Sequence, residues 1–561
     1  MLAVALAMMV SACATSNEKA GVTISQSAGT VVSSIRGEPR SFNRYVARDL
    51  TTEVITLLLH APLVRIDRVS QQLQPALAEH WTLLPDGVTY RVTLRSGVRF
   101  SDGTPFSADD VLFSFRALYD GRISSPLADA ARVHGEALNV SMESPDTVII
   151  RFPAPFGPGL RLIAGIPMFP RHKLERALTE GTFAKTWGPA TPPSDLAGLG
   201  PFVLQRYDPG QRLLFDRNPN YWQDDSEAAR PAVDHLVLEI LSDQNAEQLA
   251  MESGRLDFTQ SEIRPSDYAA MKRIADAGRI VLKDLGVGHD GDLLWFNLRP
   301  KADPRRPWLQ SVELRRAISR AIDRDAFVST VYLGAATPAY GIVSPANAEW
   351  YRGTEQTGYD VDAAKRLLAS LGLVDRNGDG ILDDPQGNAA RITLVTQKGN
   401  SALERGAAVI CASLLRVGIQ VDVVPLEVGA LVARFTRGEY DAAYFRLLTT
   451  DTDPALNLDF WLSSGSAHVW NPAQVTPATT WERRLDELML QMASELDPER
   501  RRALFAEVQG IMARELPVLC FAFPRVWVAM NARVLHATPA AARPPILWNP
   551  AVVGVASADE H

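Results

Sequence analysis

The side chains able to do chemistry in this sequence are thinly spread, so spacing decides what each can be. From residue 375 the string Asp375-Arg-Asn377-Gly-Asp379-Gly380-Ile-Leu-Asp383 puts oxygen side chains at the first, third, fifth and ninth places of a calcium loop, with glycine at the sixth. Such a loop closes on a bidentate Glu at its twelfth place, where this chain has Gln386. The competing reading is an Asx-rich turn in which Asp and Asn satisfy their own backbone. A structural calcium ion on Asp375, Asn377, Asp379 and Asp383 is thus the one cofactor the residues suggest. Gly286-Val-Gly288-His-Asp-Gly291 has the spacing of a dinucleotide loop. That loop needs a helix directly after it, yet residues 293–298 (LLWFNL) form a β-type run, so the glycines read as a crossover between strands and a natural hinge. Arg446, at the end of another apolar run, offers a planar fork for a carboxylate or phosphate, with Asp451 in the loop beyond it; both read equally well as surface residues. Asn43 lies in an irregular loop, residues 36–45, after the first strand-like run, where α/β folds place ligands. There is no Gly-x-Ser-x-Gly, His-Glu-x-x-His or Walker loop, and the nine His lack metal-ligand spacing. The carboxylate pairs Asp109/Asp110 and Asp224/Asp225 sit in turns and helix starts, where capping explains them. An enzyme is therefore not expected, the runner-up being an exported hydrolase with an unrecognised site.

The chain that must position these groups has 561 residues, enough for at least two domains. Hydrophobic residues make up 46% and charged residues 22%, the balance of a globular protein. With a formal charge of -8 and no basic stripe, nucleic acid is not an expected partner. Residues 1–10 form an apolar run of secretory length, too short to span a bilayer, followed by Ser11, Ala12 and Cys13. The Val-Ser-Ala-Cys string resembles a bacterial lipobox, although no Lys or Arg precedes the run. The resemblance implies an exported protein at the periplasmic or cell-envelope face, anchored to the membrane by a lipid on Cys13.

Periodicity sets the elements. Residues 88–94 alternate as a half-buried strand after a Pro85-Asp86-Gly87 turn, and Ser107 with Asp110 forms a capping box that starts a helix near Ala108. Residues 202–206 and 212–215 form a hairpin around Asp208-Pro209-Gly210. Leu314, Ala317, Ile318 and Ala321 give a helix one apolar face, its charges turned outward. Residues 391–447 read as βαβαβ, hence a parallel sheet with helices on it. A helix begins at Pro498 with Asp497 as its cap, and residues 518–523 form one fully apolar strand.

Three stretches carry a family resemblance. Ala78, Glu79, Trp81, Pro85 to Gly87, Leu94, Arg95, Phe100 to Pro105, Ala108, Asp110 and Val111 match one block. Gly198, Gly200 to Phe202 and Arg217 to Trp222 match a second, and Arg315 to Ile318, Ala321 to Arg324 and Tyr332 to Gly334 a third. Together they resemble the family 5 extracellular solute-binding proteins, the peptide- and nickel-type receptors of bacterial ABC importers. The resemblance implies an α/β, two-lobed periplasmic binding protein-like fold with a two-strand hinge and an inserted third lobe. The expected division is signal 1–12, tether 13–29, first lobe 30–65, inserted lobe 66–199, first lobe again 200–285, second lobe 286–517 and a closing part 518–561. It further implies a monomer that captures a peptide or peptide-like solute in the cleft and delivers it to a membrane permease. The alternatives are an opine, sugar or metal-chelate receptor, or a sensor or chaperone using the same cleft. In dipeptide and oligopeptide receptors of the family, an Asp four residues before the Pro of an Asp-Pro pair meets the peptide amine; here that position is Thr450. Arg446, Thr450, Asp451 and Asn43 are accordingly the expected ligand-binding residues, with amine recognition passed to Asp451 or absent.

Overall fold

The computed structural model describes residues 29–47, 49–223, 231–299, 303–353, 358–448 and 451–556. Strand β1 (Thr30–Ile35) runs parallel to a later strand and starts the first sheet. The hairpin β2 (Val64–Ile66) and β3 (Leu73–Pro75) leads into β4 (Ala78–Leu83), β5 (Thr89–Leu94), β6 (Asn139–Ser144) and β7 (Thr147–Arg151), a separate antiparallel sheet in the order β4-β5-β7-β6. The helix Ala108–Leu118 starts at the capping box of Ser107 and Asp110, and buries Val111, Phe115 and Leu118. The chain then returns to the first sheet through β8 (Phe202–Asp208), β9 (Arg212–Arg217) and β10 (His235–Ile240), giving the order β1-β10-β9-β8.

Beyond these come β11 (Ile280–Val287), β12 (Asp292–Phe296), β13 (Ala336–Pro338), β14 (Arg391–Gln397), β15 (Gln420–Leu426), β16 (Ala442–Arg446), β17 (Val518–Cys520) and β18 (Ala522–Asn531). β14 pairs in parallel with β15 and β16, and the helices Ser401–Leu415 and Val428–Arg437 make the crossovers. β12 and β17 extend this sheet antiparallel, in the order β15-β14-β16-β12-β17. A third sheet, β11-β18-β13, joins the two halves.

The apolar run 518–523 is not one strand. Val518, Leu519 and Cys520 face Trp295, Leu294 and Leu293 in the second sheet, whereas Ala522 onward pairs with β13 and then β11. Its crossing thus falls at Phe521, beside the crossing of residues 288–291, and Gly288 N donates to Pro524 O at 2.8 Å to tie the two. Gly291 is needed there, since a Cβ would lie 2.6 Å from Cys520 Sγ.

The helix Val312–Ala321 buries the expected Leu314, Ala317, Ile318 and Ala321, but not all its charges face out. Arg315 is buried, donating to Glu515 O and Gln310 O. Arg324, on the next helix, is buried with bonds to Ser319 and Ala339 O. Main-chain carbonyls left over at helix ends give a guanidinium partners that an amphipathic pattern does not show.

Candidate functional site: the crossing between the two halves

The register of β12 against β16 places Asp292 opposite Arg446. Arg446 Nε donates to Asp292 Oδ1 at 2.6 Å, and the Tyr332 hydroxyl donates to Oδ2. Burial opposes the charge on Arg446, but Asp292 outweighs it and holds the guanidinium firmly protonated. Burial, reinforced by Asp292, pushes the Tyr332 phenol well up. Arg446 is therefore anchored within its own half, rather than being the wholly uncommitted fork the sequence suggests.

Groups from other segments converge on this end of the sheet. Glu262 bears electrostatically on Arg446 and accepts from Arg543 Nη2 at 2.7 Å, while Arg543 Nη1 lies 3.9 Å from Asp290. Ser344 fixes the crossing by donating to Gly288 O at 2.6 Å. His289 Nδ1 is buried without a partner among the described residues. Burial holds the His289 pKa down against the pull of Asp290 and Asp451, so the imidazole is neutral. The Cys520 thiol, raised to about 12 by burial, is inert there.

Asp451 reaches outward from the second half. Its Oδ1 accepts from Arg161 Nε at 2.8 Å and from Asp453 N at 2.8 Å. Arg161, in the helix Gly159–Ala164, also donates to Gln71 O at 2.7 Å and Thr452 Oγ1 at 2.9 Å. Burial raises the Asp451 pKa and Arg161 opposes the rise. Two residues on, Asp453 is held by both Nη atoms of Arg501 at 2.8 Å each.

The structure thus brings Arg446 and Asp451 to one end of the second sheet. Asn43 is fully buried in its own loop, its Oδ1 accepting from Tyr45 N and its N–H donating to Ser41 Oγ, while its Nδ2 has no partner among the described residues. Thr450 and Cys13 lie outside the described residues. The loop of Asp375, Asn377, Asp379 and Asp383 sits at the opposite end of the parallel strands, where Leu382 N bonds Gly418 O just before β15. Its side chains turn on their own backbone: Asp375 accepts from Gly378 and Gly380, Asn377 from Asp379, Asp379 from Ile381 and Asp383 from Arg376. This is the Asx-turn arrangement, and among the described residues no group of three or more His, Cys, Asp or Glu is placed to hold a metal ion. The sequence reading missed Asp292, Tyr332, Glu262, His289, Arg543 and Arg161. Only the β12–β16 register offered a signal for any of them; Arg543 and Arg161 lie 281 and 290 residues from the carboxylates they hold, and Tyr332 lies 40 from Asp292 with no periodicity to link them.

No helix among the described residues is long and apolar enough to cross a membrane. The family model described as bacterial extracellular solute-binding proteins, family 5 middle, matches residues 72–468. A probable ABC transporter-binding protein of Deinococcus radiodurans is 25% identical over 543 residues, 93% of this chain and 90% of that one. The dipeptide-binding protein of Escherichia coli K12 is 25% identical over 91% of this chain and 92% of its own. Among solved structures, the oligopeptide-binding protein AppA of Bacillus subtilis, in complex with a nonapeptide, superposes with a TM-score of 0.73 at 24% identity, covering 95% of this chain and all of that one. With the family model spanning most of the chain and the fold matching along its length, the protein belongs to the family 5 extracellular solute-binding proteins.

Proposed function

We propose that the protein is the substrate-binding component of an ABC importer, that it takes a peptide or peptide-like solute between its two halves, and that it presents the closed form to a membrane permease. The observation that carries this is the convergence of Glu262, His289, Asp290, Asp292, Arg446, Asp451 and Arg543, from four separate segments, where the chain crosses twice between sheets. The residue pairs at this place bind and orient; none forms a nucleophile with a partnered base, so the protein is read as a receptor and not an enzyme. The two crossings, residues 288–291 and Phe521, are the hinge in this reading. A ligand touching both halves shifts the population toward the closed form by its differential affinity. Cys13 is read as the lipidated residue that keeps the protein at the membrane; a Cys13→Ala chain should move to the soluble exported fraction, and one that stays membrane-bound would refute the anchor.

The geometry bears on what part of a peptide is read. Asp451, the counter-ion the sequence suggests for a peptide amine, already holds Arg161 and an amide N–H on the same oxygen. Recognition then rests on the peptide's other groups. Calorimetry with free and N-acetylated forms of a bound peptide tests this. Equal affinity within about threefold is expected; a loss beyond about tenfold on acetylation, 1.4 kcal/mol, would show that the amine is read.

A further inference from the structure

The two halves touch directly along the rim, away from the crossing. Three contacts are made with no intermediary. Arg161 joins Asp451, Thr452 and Gln71 into one network at 2.7 to 3.3 Å, with Thr452 Oγ1 donating to Gln71 Oε1 at 3.0 Å. Gly157 N, from the segment just before the helix Gly159–Ala164, donates to Ala493 O at 2.7 Å. That carbonyl belongs to the end of the helix Thr480–Ser494, and the turn after it, which leads to the helix Pro498–Glu515, lies over Gly157 so closely that a Cβ would meet Glu495 O and Arg501 Nε at 2.5 Å each. Leu496 at the tip of this turn lies 3.2 Å from where a Cβ on Gly87 would be, in the turn before β5. The turn is itself braced: Arg501 bonds Met492 O across it and holds Asp453 at the base of the Asp451 loop. The 451–453 loop and the 494–497 turn are thus tied together through Arg501 and meet the first half at three points, Arg161 with Gln71, Gly157 and Gly87.

We propose that this rim is a latch: the Arg161–Asp451 pair and the seat of the 494–497 turn on Gly157 favour the closed form before any solute is bound, so that closure is set partly by contacts the ligand does not make. The inference rests on the two-halved closure reading above, but not on what the ligand is. It follows from linkage that a latch of this kind raises apparent affinity for every solute the cleft accepts, because less of the closing free energy has to come from the ligand. Glycine at 157 is what allows it, since any larger residue must push the backbone at Glu495 away.

The Gly157 amide reports on the latch. Hydrogen exchange and small-angle scattering would be run on the chain lacking residues 1–13, freed of carried solute by dialysis in denaturant and refolding. Comparison would be with Arg161→Ala, the near-isosteric Asp451→Asn, and Gly157→Ala for scattering. The latch predicts that the Gly157 amide of the unliganded parent is protected, that its exchange rises about threefold in Arg161→Ala and Asp451→Asn, and that all three variants have a larger radius of gyration at a nearly unchanged melting midpoint. An unprotected amide in the parent, or a parent and variants of equal radius and exchange, would overturn it. If only Arg161→Ala misfolds, the Asp451→Asn result decides. Either failure would leave the receptor reading standing, since that is tested by solute binding itself.

Discussion

Two carboxylates two residues apart, Asp451 and Asp453, meet arginines in different ways. Asp453 is 2% exposed and gripped by both Nη atoms of Arg501. That pair lies within one half and fixes the loop to the helix Pro498–Glu515. Asp451 holds Arg161 across the rim through Nε alone. The charge chemistry is the same, yet one pair ties a loop into its own lobe and the other depends on how two lobes sit. A charge buried in every state must be compensated at all times, whereas one that an opening motion returns to water loses its partner cheaply. Asp292 with Arg446 and Tyr332 belongs to the first kind.

The contrast breaks first at Asp453. Asp453→Ala leaves Arg501 buried without its counter-ion and should lower unfolding free energy by about 3–5 kcal/mol, read from urea transitions. Asp453→Ala with Arg501→Met should recover part of that loss; a single variant as stable as the parent would place Asp453 with Asp451. The next largest effect is in pH. His60 stacks on Trp187 at 5.6 Å and meets the edge of Phe169 at 4.8 Å, and burial lowers its pKa from 6.5 to about 4. The folded protein then binds fewer protons at His60 than the unfolded chain, so stability is full above pH 6.5 and falls as pH drops toward about 4, by about 3 kcal/mol in all. His60→Phe should flatten that slope between pH 4 and 6.5 and leave the latch contacts untouched; an unchanged slope would remove His60 from the account. The smallest effect is at Asp451 itself. Asp451→Asn should change unfolding free energy by less than about 1 kcal/mol, because the open form already hydrates both partners. A loss as large as that of Asp453→Ala would mean the rim never opens.

The same contrast explains what the sequence could tell. The capping box of Ser107 and Asp110, the apolar stripe of Leu314, Ala317, Ile318 and Ala321, and the β14-to-β16 alternation are local patterns written within a few turns of chain, and they are legible. Arg446 is legible as a planar fork at the end of an apolar run and Asp451 by its place just before the Asp453-Pro454 pair, and the structure brings both to one sheet end. Their partners were invisible. Arg161 is one arginine in the string GLRLIA, 290 residues from Asp451, and no periodicity links them. Arg315 is expected in water because an amphipathic pattern assigns charges outward by type, without seeing the carbonyl that another helix end supplies at Glu515. Asn43 was placed by loop position alone, and its loop folds inward beneath Trp187, whose carbonyl takes the Phe42 N–H and the Ser41 hydroxyl.

The claim that a solute closes the two halves is tested most directly by small-angle scattering on the Gly157→Ala chain, in which the rim no longer favours closure and the ligand must supply it. A peptide chosen by thermal shift would be added to saturation, at about 100 times its dissociation constant, where binding stabilises by about 2.7 kcal/mol. The account predicts that the radius of gyration falls to that of the parent and that the peptide is recovered at unchanged mass. A radius that stays constant at saturation, or a peptide returned cleaved, would contradict it.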